Sequence, residues 1–151
     1  NFSIDRNAAI AQGGFDENFV RVAYRFEADF ALRWRRAGGR IRYEAGALIH
    51  HLKANDGGTR IFGDYLRTAI PAHSVGEYYF ALVNRPGGWL RTLFGRPLRA
   101  IATRHHLRRP WWIPSTLVAE VGGIFWAAAL LLRGRRLISN VIDPNRNQAP
   151  Q

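Results

Sequence analysis

A chain of 151 residues that is 47% hydrophobic and 13% aromatic has enough apolar mass for a packed domain, which excludes a disordered tail as its main state. It has no cysteine, which excludes disulfides, thiolate zinc sites and thiol nucleophiles together. A formal net charge of +11, almost all of it from arginine, draws nucleic acid, anionic lipid or phosphorylated substrates alike, so charge alone does not choose among them.

Residues 5–12 read as a short helix, capped by Asp5 and stopped by Gly13-Gly14. Phe15-Asp16-Glu17 follows as an exposed turn. A second helix is expected from about Glu27 to Ala37, with Phe26, Phe30, Trp34 and Ala37 near helical spacing, arginines in the last turn and Gly38-Gly39 after it. Arg40 to Tyr43 and Ala47 to Ile49 read as a strand, kinked at Gly46 and leading into His50-His51. The segment from Lys53 to Arg60 has loop composition. Tyr65 to Val83 reads as helix broken near Pro71, and Pro86-Gly87-Gly88 makes a second break. Most acids lie at or before Glu77, whereas Arg85 to Arg109 is rich in arginine and free of acid.

Trp111 to Leu132 carries a single charge, Glu120, between arginines at both ends. Its length suits a membrane span, but Pro114, Glu120 and Gly122-Gly123 weaken that reading. A helix lying at the headgroup level accounts better for the tryptophans at 111, 112 and 126, and a buried soluble helix is the third reading. Residues 141–151 are polar and read as a disordered tail.

Two carboxylates stand at the mouth of the second helix. Glu27 is a candidate general base; the plainer alternative is that it complements the helix dipole. For Asp29 the plainer alternative is an ion pair with Arg33 at i+4. His50 and His51 follow the expected strand, where imidazole could ligate a metal or meet a phosphate, though a histidine pair without nearby acids also suits a solvent-facing role. Gly57-Gly58-Thr59-Arg60 offers backbone donors and a guanidinium to a diphosphate, or is a plain surface turn. There is no Gly-x-Ser-x-Gly elbow, no Walker loop and no recognisable nucleic-acid-binding motif.

Four segments in order carry a resemblance. Asn1-Phe2-Ser3-Ile4-Asp5-Arg6, Gly13-Gly14-Phe15-Asp16-Glu17, Glu27-Ala28-Asp29-Phe30-Ala31-Leu32-Arg33 and His51 resemble the C-terminal half of the catalytic domain in family 2 glycosyltransferases of the GT-A fold. The resemblance implies an α/β fold, a partial Rossmann-like domain over 1–60, followed by amphipathic helices over 61–140. It implies an inverting transfer from a nucleotide-diphosphate sugar to a glycan or lipid-linked acceptor. Glu27 would be the base, with Asp29 beside it, Gly14, Asp16 and Glu17 on the acceptor, His51 on a divalent metal (Mg or Mn) and Arg60 on the diphosphate. The family's nucleotide-binding first half and Asp-x-Asp motif have no counterpart here, so the metal would be held mainly by residues outside this chain, which is expected to be inactive alone. The rear residues resemble, more loosely, the tails of membrane-associated bacterial members, implying a seat on the anionic cytoplasmic face of the inner membrane. A non-catalytic basic membrane-binding module is the competing expectation, and nucleic acid is not expected as a partner.

Overall fold

Asp5 begins the first helix as the residue type demands: its carboxylate accepts from the Ala8 amide at 2.8 Å, filling a donor the helix leaves open. The computed structural model describes residues 2–50 and 58–138. Helix α1 (Arg6–Ala11) stops at Gly13 and Gly14, both left-handed at φ 79° and 64°. Phe15, from the turn that follows, packs its ring on Phe26 and Phe30 of α2 (Phe26–Arg36), fixing how the turn meets that helix.

Helix α2 has Glu27 and Asp29 in its first turn and Arg33, Arg35 and Arg36 in its last, a charge order that complements the helix dipole. A 3-10 turn, Gly58–Phe62, and another, Pro71–His73, lead to α3 (Val75–Asn84). After the Pro-Gly-Gly break come α4 (Trp89–Ile101), α5 (Arg104–Arg108), a 3-10 turn at Pro110–Trp112, and the 21-residue α6 (Ile113–Arg133). Helix α3 is the centre. It packs mainly on α6, with α4 leaning on both and α2 on its other flank.

Small residues allow this approach. A side chain at Gly123 of α6 would run into Ser74 and the Tyr78 ring. Phe19 from the front of the chain shares one core with Val75, Tyr78, Tyr79, Ala127 and Leu130. After α6 the chain turns back to the front, where Ile138 N donates to Gly13 O at 2.8 Å and Glu17 N donates to Arg136 O at 3.0 Å.

The expected α/β fold is not found. The described residues are helical, with no strand and no sheet among them. Residues 40–49, read from alternation as a strand, turn on themselves instead, with Leu48 N bonding Gly46 O. Ile41, Tyr43, Leu48 and Ile49 are exposed. Alternation specifies a strand only when a neighbour supplies the other half of the hydrogen-bond ladder, and none does here. The helices at 5–12 and 27–37, the break at Pro86-Gly87-Gly88 and the helix within 111–132 do appear, each within a residue or two of its expected bounds. The expected tail at 141–151 lies outside the described residues.

Gly76 is where α3 meets the loop before α2 most closely: a Cβ there would lie 2.4 Å from the Tyr24 carbonyl oxygen. Gly76→Ala is therefore expected to cost about 1–3 kcal/mol of stability in chemical denaturation, the penalty of overpacking against backbone. Gly87→Ala, with open space around it, should stay within about 0.5 kcal/mol of the parent. Equal effects at the two sites would contradict the packing described.

Candidate functional site

The backbone entering α2 is unusual. Arg21, Ala23 and Arg25 are left-handed at φ 63°, 53° and 76°, a region that side chains with a Cβ rarely occupy. Such a run persists only where surrounding contacts over-determine it. Here they do: Gly76 admits the Tyr24 backbone, Arg25 grips Glu77 through Nε at 2.9 Å and a second nitrogen at 3.3 Å, and the Arg21 guanidinium lies over the Phe62 and Trp126 rings. The hydrogen bond to Glu77 raises the Arg25 pKa above its ordinary value. The first turn of α2 is thus held in one place.

Two of the acids expected to serve an acceptor are buried and bonded within the protein. Asp29 Oδ2 accepts from Arg33 Nε at 2.9 Å, Oδ1 accepts from Asn84 Nδ2 at 2.7 Å, and one Arg135 nitrogen donates to both oxygens at 2.8 and 3.0 Å. Asp16 accepts from the Tyr79 hydroxyl at 2.8 Å and from the backbone amides of Asn18 and Arg136 at 3.0 and 3.1 Å. Burial, with the Asp16 carboxylate adding to it, raises the Tyr79 phenol above its ordinary value against the opposing Asn18 amide. A carboxylate with every lone-pair direction filled cannot take a proton from an incoming alcohol without breaking those bonds. The i+4 pair between Asp29 and Arg33 is present, and it is one part of this larger network.

The remaining expected residues fall as follows. Gly14 is buried, and its carbonyl accepts from Arg33 at 2.6 Å. Glu17 is exposed and paired with Arg136 at 2.9 Å. Arg60 falls in the 3-10 turn Gly58–Phe62, its side chain outside the described ones. His51 lies outside the described residues. Glu27 is exposed on the first turn of α2, and it alone among the described carboxylates makes no hydrogen bond or ion pair. No group of three His, Cys, Asp or Glu able to hold a metal ion exists among the described residues. A cavity between α4 and α6 and a cleft along α5 are lined by none of these residues.

The rear of the molecule has a different character. Pro110–Arg133 is one helical stretch long and apolar enough to cross a membrane, with mean hydropathy 1.7. Glu120, which counts against a membrane span in the sequence, points inward, where it accepts from the Tyr78 hydroxyl at 2.6 Å and pairs with Arg96. The outward face of α6 runs Pro114, Val118, Val121, Phe125, Ala129 and Leu132, without a charge. A surface helix in water places polar groups there. The exposed face of α4 combines Leu90, Phe94 and Leu98 with Arg91 and Arg99.

Arg135, Asn84 and Tyr79 were not among the expected site residues. Arg135 reads in the sequence only as one of the cations after a hydrophobic helix, and nothing local signals its carboxylate partner. Compared with known protein families, with characterised proteins and with solved structures, the chain matches none.

Tyr79→Phe is expected to lower stability by about 1–3 kcal/mol, since it leaves an Asp16 oxygen and the Asn18 amide short of a partner. Burial also raises the Tyr78 phenol, with the Glu120 bond adding to it. The unfolded phenols titrate near their ordinary 10.0. The stability they contribute is therefore whole below that pH and lost as pH climbs from there through the raised folded values. Denaturant titrations at about pH 8 and about pH 10.5 should show the parent losing more between the two than the Tyr79→Phe variant does; equal losses would contradict the buried phenol.

Proposed function

We propose that this chain forms the acceptor side of an inverting glycosyltransferase seated on an anionic membrane surface, with Glu27 as the general base. One observation carries the reading: within the resembling segments, Asp16, Glu17 and Asp29 are all engaged, and Glu27 alone presents an unpaired, solvent-facing carboxylate on a rigid first turn. The left-handed loop before it supports the same reading, because strain of this kind is retained where a group must be aimed.

In the proposed reaction an acceptor hydroxyl lies against the Glu27 carboxylate. The carboxylate takes the hydroxyl proton as the oxygen bonds the anomeric carbon of the donor sugar. The bond from that carbon to the nucleotide diphosphate breaks, and the diphosphate leaves with its electron pair. Attack opposite the leaving group inverts the anomeric centre. Asp29 and Asp16 hold the frame that aims Glu27 and touch neither substrate. Arg60 is the residue proposed to meet the diphosphate. The described residues do not assemble a divalent-metal ligand set, so no step is assigned to a metal here, and the nucleotide and any metal are proposed to be held beyond them.

The membrane seat rests on the uncharged outer face of α6 and the mixed arginine and apolar face of α4. A peripheral helix at the cytoplasmic face of a bacterial inner membrane suits these better than a lone span, because the inward face of α6, with Thr116, Ala119, Glu120, Gly123, Ala127 and Leu130 buried, is committed to the protein, chiefly to α3 and α4. The same faces favour the second reading, a non-catalytic basic membrane-binding module, in which the front helices are scaffold.

One substitution separates the two. In the full-length enzyme, with a nucleotide-sugar donor and membrane acceptor, Glu27→Gln is expected to reduce transfer by about a thousandfold or more, near the upper range for loss of a general base. Donor binding should be unchanged, and the melting temperature should move little, since the side chain makes no bonds. Undiminished turnover would remove Glu27 from the role and leave the binding module as the standing account.

A further inference from the structure

Arg104, His105, Arg108 and Arg109 line a cleft of about 290 Å³ along α5. No acid lines it. Neither Arg104, Arg108 nor Arg109 has an ion-pair partner among the described residues, so their guanidinium donors face the cleft or water. Three arginines without a counter-ion repel one another, an arrangement that a bound anion relieves. A separate observation points the same way. His105 Nε2 is shielded from solvent and has no hydrogen-bond partner. Buried polar atoms of folded proteins are nearly always satisfied, and this nitrogen is the one shielded side-chain nitrogen or oxygen among the described residues with a bond left to make.

The neighbouring imidazole sharpens the contrast. His106 is buried and fully used, with Nδ1 meeting the Thr103 hydroxyl at 2.8 Å and Nε2 meeting the Thr116 hydroxyl at 2.9 Å. The Thr116 bond holds α5 against α6, the Thr103 bond closes the start of α5, and together they fix where His105 stands. Burial opposes protonation of His105, and so do the neighbouring Arg109, Arg67 and His106, with Asp64 alone in favour. Asp64 is itself paired with Arg67 at 3.5 Å.

What lies beside the cleft says which anion. Leu107 on the same short helix is 81% exposed and Trp111 just after it is 66% exposed, an apolar pair flanking a cationic slot. An acyl-chain and headgroup boundary presents the matching surface, with phosphate oxygens above hydrocarbon. We propose that this cleft binds the phosphate group of an anionic membrane lipid, with the Arg104, Arg108 and Arg109 guanidiniums and His105 donating to its oxygens while Leu107 and Trp111 enter the acyl layer. The inference rests on the membrane seat proposed above and adds to it a defined headgroup site. Arginine forks suit phosphate because two parallel donors match two oxygens.

The test compares two arginine pairs of equal charge in the full chain. Binding to vesicles of phosphatidylglycerol and phosphatidylcholine is measured for the parent, for Arg108→Gln/Arg109→Gln and for Arg91→Gln/Arg99→Gln on α4. The His105 imidazole is followed by NMR with those vesicles, and separately with inorganic phosphate. The cleft pair is expected to weaken binding by at least about tenfold more than the α4 pair, and the vesicles should raise the His105 pKa. Equal losses from the two pairs, with an unmoved imidazole, would overturn the headgroup site while leaving the membrane seat intact. A His105 response to inorganic phosphate but not to vesicles would overturn lipid as the occupant. A parent chain that ignores anionic vesicles would overturn the membrane seat and this inference with it.

Discussion

The buried carboxylate of Asp29 decides how the molecule goes together. An ion taken out of water costs several kcal/mol unless donors replace its hydration, and here they come from three places: Arg33 on the same helix, Asn84 at the end of α3 and Arg135 beyond α6. Satisfying one charge therefore requires α2, α3 and the chain after α6 to meet. Arg135 also reaches Asp16 at 3.5 Å and Asn84 at 3.0 Å, so a single guanidinium ties the front turn to the rear helices. Glu27, two residues earlier on the same helix, is the carboxylate this network leaves out.

That division of labour between adjacent acids was half legible in the sequence. The i+4 spacing of Asp29 and Arg33 signals an ion pair, and Asp5, Gly13-Gly14 and Pro86-Gly87-Gly88 mark helix ends, because caps and turns depend on a few neighbouring residues. The partnership of Asp29 with Arg135 spans 106 positions, and no periodicity carries it. Residues 40–49 misled for a related reason: Ile41 and Tyr43 alternate as a strand does, but a strand is a property of two segments and the sequence shows one. The bounds of α4, within the stretch expected to hold amphipathic helices, are hard to read because arginines interrupt the apolar pattern, while Leu90, Phe94 and Leu98 mark its helical face.

The rear half resolves a tension in the composition. A helix as apolar as α6 with one acid near its middle reads as a compromised membrane span. Folded, the acid faces protein, where Tyr78 and Arg96 meet it. Its outer face is left uncharged, and arginines cluster on α4 and α5 nearby. The inward polar groups fix which way the helix turns, and that orientation sets what the outer surface can bind.

The most direct test is a double-mutant cycle on stability with Asp29→Asn, Arg135→Gln and the pair together. If the buried ion organises the fold, the substitutions should be strongly non-additive, with a coupling energy of about 1.5–3 kcal/mol. Additivity to within about 0.5 kcal/mol would mean that the two residues act independently, and the account of how α2 is held in place would fail.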